Sequence, residues 1–92
     1  VCLFESGLEG DGPRLLMNLV LERGHELCAV FCGDDRDGYR YVIGSRSVDL
    51  RKMVKELNAA FSGRGGGKPE MVQGSLKGTK KGLRAWMQEY GF

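Results

Sequence analysis

The sequence predicts a single α/β domain over residues 1–92, with a small mixed sheet and about three helices packed on it. Three observations carry this expectation. Leu27-Cys28-Ala29-Val30-Phe31-Cys32 is short and continuously apolar, as in a strand buried on both faces. Leu50, Met53, Val54, Leu57 and Phe61 recur at helical spacing, and so do Leu83, Trp86, Met87 and Tyr90. Strand-like and helix-like segments alternate along the chain, which layers helices on a sheet.

Val1–Glu5 reads as a first short strand, and residues 6–12 as a turn cluster rich in glycine. Asp11 is placed to cap a helix with Pro13 in its first turn. Leu15, Leu16, Leu19 and Val20 give that helix an apolar face, and Gly24 fits its stop. After Leu27–Cys32 comes a polar turn at 33–38. Residues 39–45 then alternate, with Tyr39, Tyr41 and Ile43 on one face and Arg40, Val42 and Gly44 on the other, which predicts a hairpin. Ser47 or Asp49 starts the second helix, and Gly63–Gly67 ends it in a loop. Met71–Gly74 is a short strand, and Thr79 caps the last helix. The expected order is strand, helix, strand, strand, helix, strand, helix, with a helix, Gly-Gly-Gly loop and strand at the functional edge.

Apolar residues make up 41% of the chain and charged residues 28%, an ordinary balance for a globular domain. No apolar run approaches the roughly 20 residues that span a bilayer, so no membrane partner is expected. The chain opens Val-Cys-Leu-Phe, inside a strand and without an initiator Met or a signal-peptide pattern. That suggests an excised or processed domain of a longer protein. The net charge of +2 is too small for the whole surface to attract a polyanion. Residues 62–84, however, carry Arg64, Lys68, Lys77, Lys80, Lys81 and Arg84 against the single acid Glu70. Charge concentrated in this way suits a phosphate-bearing partner, and a solvated helix start accounts for it equally.

Catalysis is hard to assemble from these residues. The three cysteines, an odd count, fit reduced thiols in a cytoplasmic setting. Cys28 and Cys32 fall on one face of a strand, where a thiol packs as a small hydrophobe. His25 is the sole histidine, so a His-based zinc site cannot form. Asp34, Asp35 and Asp37 cluster on the polar turn but lack the later ligands of a calcium loop. No catalytic residue, metal ligand or cofactor is expected in this domain.

The informative stretch is 62–75, SGRGGGKPEMVQGS. Consecutive glycines cost backbone entropy, so they imply either positive φ or close approach to the backbone. Two readings fit. Successive backbone N–H groups can form an anion-binding nest flanked by Arg64 and Lys68, with Gln73 offering both donor and acceptor. Alternatively, the glycines allow tight packing of a helix on the sheet. A nucleotide triphosphate loop is excluded, because Pro69 follows the lysine where that motif needs a hydroxyl residue, and the loop follows a helix.

The run Gly65-Gly66-Gly67-Lys68-Pro69-Glu70-Met71-Val72-Gln73-Gly74, together with Leu57–Arg64 before it, resembles the signature of the DHH-associated domain. Such domains occur in alanyl-tRNA synthetases, alanyl-tRNA editing proteins and DHH phosphoesterases. The resemblance covers the whole chain in element order and is specific in the Gly-rich segment. Phosphoesterase members usually place a His after the glycine triplet. Here Lys68 stands there, which is similar to the alanyl-tRNA branch. The resemblance implies an accessory module that binds tRNA near its outer corner, with tRNA(Ala) or a mischarged alanyl-acceptor tRNA as partner. The hydrolytic or ligase chemistry then resides in a separate domain. Zinc, where an editing protein uses it, belongs to that other domain, and Cys28-x3-Cys32 does not match its ligand pattern. The alternative it leaves is the substrate-binding domain of a DHH phosphoesterase acting on nucleotides. Arg64, Gly65, Gly66, Gly67, Lys68 and Gln73 follow from the motif as RNA-contacting positions, and Lys77, Lys80 and Lys81 are added on charge. A homodimer through an apolar stripe or a sheet edge is a further expectation.

Overall fold

The computed structural model describes residues 1–5 and 10–91, so part of the turn cluster expected at 6–12 lies outside the described residues. Eight elements follow in order: β1 (Cys2–Glu5), α1 (Gly12–Glu22), β2 (Leu27–Asp34), β3 (Gly38–Ser45), α2 (Arg51–Ala60), β4 (Arg64–Lys68), β5 (Met71–Leu76) and α3 (Lys80–Tyr90). The strands form one sheet in the order β1-β2-β3-β5-β4. β1 runs parallel to β2, which requires a crossover, and α1 supplies it. The other three pairings are antiparallel. The α/β class, the mixed sheet and the three helices are thus as expected. No helix is long and apolar enough to cross a membrane.

Alternation along the strands gives the sheet two unlike faces. One carries Ala29, Phe31, Tyr39, Tyr41, Ile43, Val72 and Leu76 against α2 (Met53, Val54, Leu57) and α3 (Leu83, Met87). The other carries Cys28, Val30, Cys32 and Val42 against Met17 and Leu21 of α1. The split of β3 into Tyr39/Tyr41/Ile43 and Arg40/Val42/Gly44 is therefore real. α1 lies over β2 and β3 and stops there. Among the described residues no helix packs over β4 on this face, and Met71 of β5 is partly buried against the α1 cluster.

Three local expectations need correction. The Gly-rich segment is not a loop. It is strand β4, paired antiparallel with β5 from Arg64↔Ser75 to Lys68↔Met71. α2 is ended by Phe61 and by Ser62 at φ 52°, and Gly63 N–H donates to the Asn58 carbonyl at 2.8 Å. On α1 the buried residues are Pro13, Met17 and Leu21, whereas Leu15 and Leu19 are 63% and 49% exposed. Both sets have helical spacing. Gly44 decides between them, because its missing side chain leaves the room that Met17 and Leu21 occupy. Finally, α2 begins at Arg51, later than Ser47 or Asp49. Ser45 Oγ accepts from Ser47 and Val48 N–H, and Asp49 accepts from Arg51 N–H at 3.0 Å, so hydroxyl and carboxylate order the approach to the helix. Thr79 does cap α3, its hydroxyl accepting from Gly82 N–H at 3.0 Å. Asp11 occupies the N-cap of α1 without a side-chain cap bond and pairs instead with Arg14.

The β2–β3 turn is tied to α3 through one carboxylate. Asp35 Oδ1 accepts from Tyr39 Oη at 2.6 Å and from Lys80 N–H at 2.7 Å. These bonds, Tyr39 first, hold the Asp35 carboxyl below its ordinary 3.8. Burial and that same bond push the Tyr39 phenol up to about 12. A carboxyl lowered by folding adds stability above its unfolded pKa and loses it as pH falls through the folded one. Urea unfolding of the native protein should therefore lose stability below about pH 4 more steeply than that of Asp35→Asn. Parallel pH profiles would show that the clasp does not count.

Candidate nucleic-acid interface

Three rungs run from β3 across β5 to β4, out from beneath α1. Arg40, Ser75 and Arg64 are register partners across β3, β5 and β4. Val42, Gln73 and Gly66 form the next rung, and Gly44, Met71 and Lys68 the third. Val42 packs toward α1, and the even alternation of the strands puts all nine residues on that same face. Arg40, Arg64, Lys68, Gln73 and Ser75 are exposed. Neighbouring strands lie about 4.8 Å apart and rungs of one face about 7 Å apart, so this is a compact patch.

The glycines of β4 divide into two roles. Gly65 pairs with Gly74 on the opposite, helix-covered face, directly against Tyr41. A Cβ on Gly65 would lie 2.6 Å from Tyr41 Oη, and one on Gly74 2.7 Å from it. Tyr41 Oη donates to Asn58 Oδ1 at 2.9 Å, and Asn58 Nδ2 donates to the Gly65 carbonyl at 3.4 Å. These two glycines admit a buried phenol and its amide partner between α2 and the sheet. Gly66 is different. A Cβ there would meet nothing within 4 Å, and its φ is not in the left-handed region. Packing does not require glycine at 66. Its bare backbone lies open between Arg64 and Lys68. The anion nest expected from sequence does not form, since the backbone is an extended strand at the end of the sheet.

Of the residues singled out in the sequence, Arg64, Gly66, Lys68 and Gln73 come together on this face. Lys77 joins its lower end, lining a cleft of about 640 Å³ with Arg40, Arg64, Ser62 and Ser75. Lys80 and Lys81 do not join. Lys80 Nζ lies 5.6 Å from the Phe4 ring centroid, and Phe4 stacks on Phe31 on the helix-covered face. Lys80 and Lys81 therefore belong with Arg84 and Asp35 in a separate basic surface. Sequence reading missed Arg40 and Arg46. Arg46 lines a second depression with Lys68, Gln73 and Gly66, between α1 and β4. The alternation of β3 could have flagged Arg40, an arginine on the otherwise apolar side of a central strand.

Among the described residues no acid pairs with the cations of the patch. Among the described residues the ion pairs are Arg14–Asp11 and Arg51–Asp49, so Arg40, Arg46, Arg64 and Lys68 have no carboxylate within 4 Å. Glu22 and Glu70 sit at the rim of the second depression. Burial raises all three thiols above their ordinary range. Cys28 is fully buried and burial pushes its thiol up to about 11, which keeps it protonated at neutral pH. Among the described residues no three His, Cys, Asp or Glu side chains converge on a metal position.

Fold and patch together define a class: a small α/β module that presents a bare cationic sheet face fit for a polyanion. The DHHA1 domain model matches residues 2–89, and the chain belongs to that family. An alanine–tRNA ligase of Acholeplasma laidlawii is 25% identical over 79 residues, covering 86% of this chain. The chain spans 9% of that relative's length. The crystal structure of the C-Ala domain from Aquifex aeolicus alanyl-tRNA synthetase superposes with a TM-score of 0.71 at 20% identity, over 95% of this chain and 85% of that one. This likeness establishes the shared fold.

Proposed function

We propose that the domain holds tRNA against the three-rung face of its sheet, as an accessory module of a cytoplasmic alanyl-tRNA ligase or alanyl-tRNA editing hydrolase whose chemistry lies in another domain. The observation that carries this reading is the three-rung patch, in which Arg64, Lys68 and Gln73 surround the open backbone of Gly66. Arginine and lysine without acidic partners suit phosphates, and an amide beside a bare backbone suits a sugar or base edge. Membership of the DHHA1 family and the relatives' names support tRNA as the polyanion and tRNA(Ala) as its type.

Reversing Arg64 and Lys68 to Glu should cut tRNA affinity about 100-fold at 0.15 M salt, since two phosphate contacts become repulsions. The slope of log affinity against log salt should shrink by about two. Lys80→Glu with Lys81→Glu, on the other side of the sheet, should cost less than about threefold. Filter binding across a salt series measures all three. Equal affinity of native protein and the Arg64/Lys68 variant would sink the proposal.

A further inference from the structure

We propose that the rung Arg40–Ser75–Arg64, closed below by Lys77, is a discrete site for one phosphate group, which in a nucleic acid is a single backbone phosphodiester. The inference deepens the tRNA reading and rests on it for the identity of the natural ligand, but it adds Arg40, Ser75 and a location. Arg40 and Arg64 stand on strands either side of β5, with Ser75 between them in register. Two strand spacings set their Cα atoms about 10 Å apart. That span lets two guanidinium groups close on one tetrahedral anion from opposite sides, with the Ser75 hydroxyl beneath it as a donor.

The surroundings fit one anion at this rung better than charge smeared over the face. The next rung, Val42–Gln73–Gly66, carries no charge. Arg40, Arg64 and Ser75 line two adjoining depressions. Lys77 and Ser62 bring a third cation and a second hydroxyl to the first, and Pro13 in the first turn of α1 walls the other. Among the described residues lining the two depressions, Asp37 is the one carboxylate against the three cations Arg40, Arg64 and Lys77. Along the same rung, Glu5 stands beyond the intervening Cys32, two strands from Arg40. While the sheet margin is closed, the backbone spacing of the two arginines is set by strand pairing, and by Gly65, Gly74 and the Tyr41–Asn58 pair on the reverse side. A preordered site spends little of its binding free energy on assembling itself.

The test has two arms on the intact chain. In the first, inorganic phosphate replaces chloride at constant ionic strength while amide NMR signals are followed. Saturable shifts at Ser75 and Arg64 are expected in the native protein, and their loss in Arg40→Gln. In the second, tRNA is titrated across a salt series. Arg40→Gln should weaken binding about five- to tenfold and reduce the salt slope by about one, whereas Arg36→Gln at the hairpin tip should do neither. An unchanged thermal midpoint in Arg40→Gln guards against misfolding. If tRNA binds normally to Arg40→Gln and phosphate gives no saturable shift, the site is overturned while the tRNA reading stands. If phosphate shifts appear but tRNA does not bind the native protein, the site stands and its tRNA assignment falls.

Discussion

Gly74→Ala should lower the thermal unfolding midpoint by about 10–20 °C, whereas Gly66→Ala should leave it within about 2 °C. The two positions sit on neighbouring strands of one sheet, yet on opposite faces. A Cβ at 74 would run into the Arg64 carbonyl and lie 2.7 Å from both Gly65 Cα and Tyr41 Oη. Backbone cannot swing aside as the end of a flexible side chain can. Either β4 moves outward or Tyr41 leaves Asn58, and both routes disturb the core. Overpacking of this kind costs roughly 2–3 kcal/mol, a large share of the stability of a 92-residue domain. At 66 the added methyl enters open space with ordinary backbone geometry. Thermal denaturation followed by circular dichroism separates the cases. Equal shifts at both positions would refute the distinction between glycines required by packing and glycines left open.

Gly66→Leu should keep the native fold and lose at least about tenfold in tRNA affinity, about 1.4 kcal/mol. Leucine suits an exposed strand position at least as well as glycine does, so stability is not at risk. The side chain would rise between Arg64 and Lys68, on the rung that carries no charge. A polyanion approaching the face would be held off both cations, and charge-assisted hydrogen bonds are short contacts that do not survive such a displacement. The charge of the domain is unaltered, which sets this variant apart from any reversal of Arg64 or Lys68. A fluorescence titration with labelled tRNA measures it. Native-like affinity would mean that the ligand does not come close to β4.

Much of the architecture could be read from local pattern. The stripes of α2 and α3 are long and regular, and Leu57, Leu83 and Met87 are buried without remainder. The β2–β3 hairpin follows from an apolar run, a polar turn and an alternating run, and both tyrosines of β3 face as expected. β4 was illegible for a physical reason. Arg-Gly-Gly-Gly-Lys has no apolar alternation and little intrinsic strand tendency, and it is extended because β5 and the Tyr41–Asn58 pair hold it there. The β5 partner follows two residues later, but the Tyr41–Asn58 pair that backs it joins residues on β3 and α2.

The patch was half legible. Arg64, Lys68 and Gln73 are near in sequence, and strand geometry places them together. Arg40 reaches them through the β3–β5 register, which joins residues some thirty-five positions apart. The grouping of Lys80 and Lys81 with them followed from the run of positive charge along residues 62–84. It does not hold in space, because the chain passes from the sheet into the helix layer at Thr79. The exposure of Leu15 and Leu19 has the same origin, since Gly44 on another element selects which side of α1 turns inward.

β4 ends the sheet and has a single strand neighbour, so it is held less firmly than any strand between two others. Its anchors are the pairing with β5 and the contacts with α2. Local opening of this margin would carry Arg64, Gly66 and Lys68 away from Arg40 and Ser75 in one motion, with the rest of the domain intact. A ligand that bridges the strands of the patch therefore acts as a clamp on the sheet margin. Affinity for the ligand and protection of the β4 amides from solvent exchange become two measures of one equilibrium.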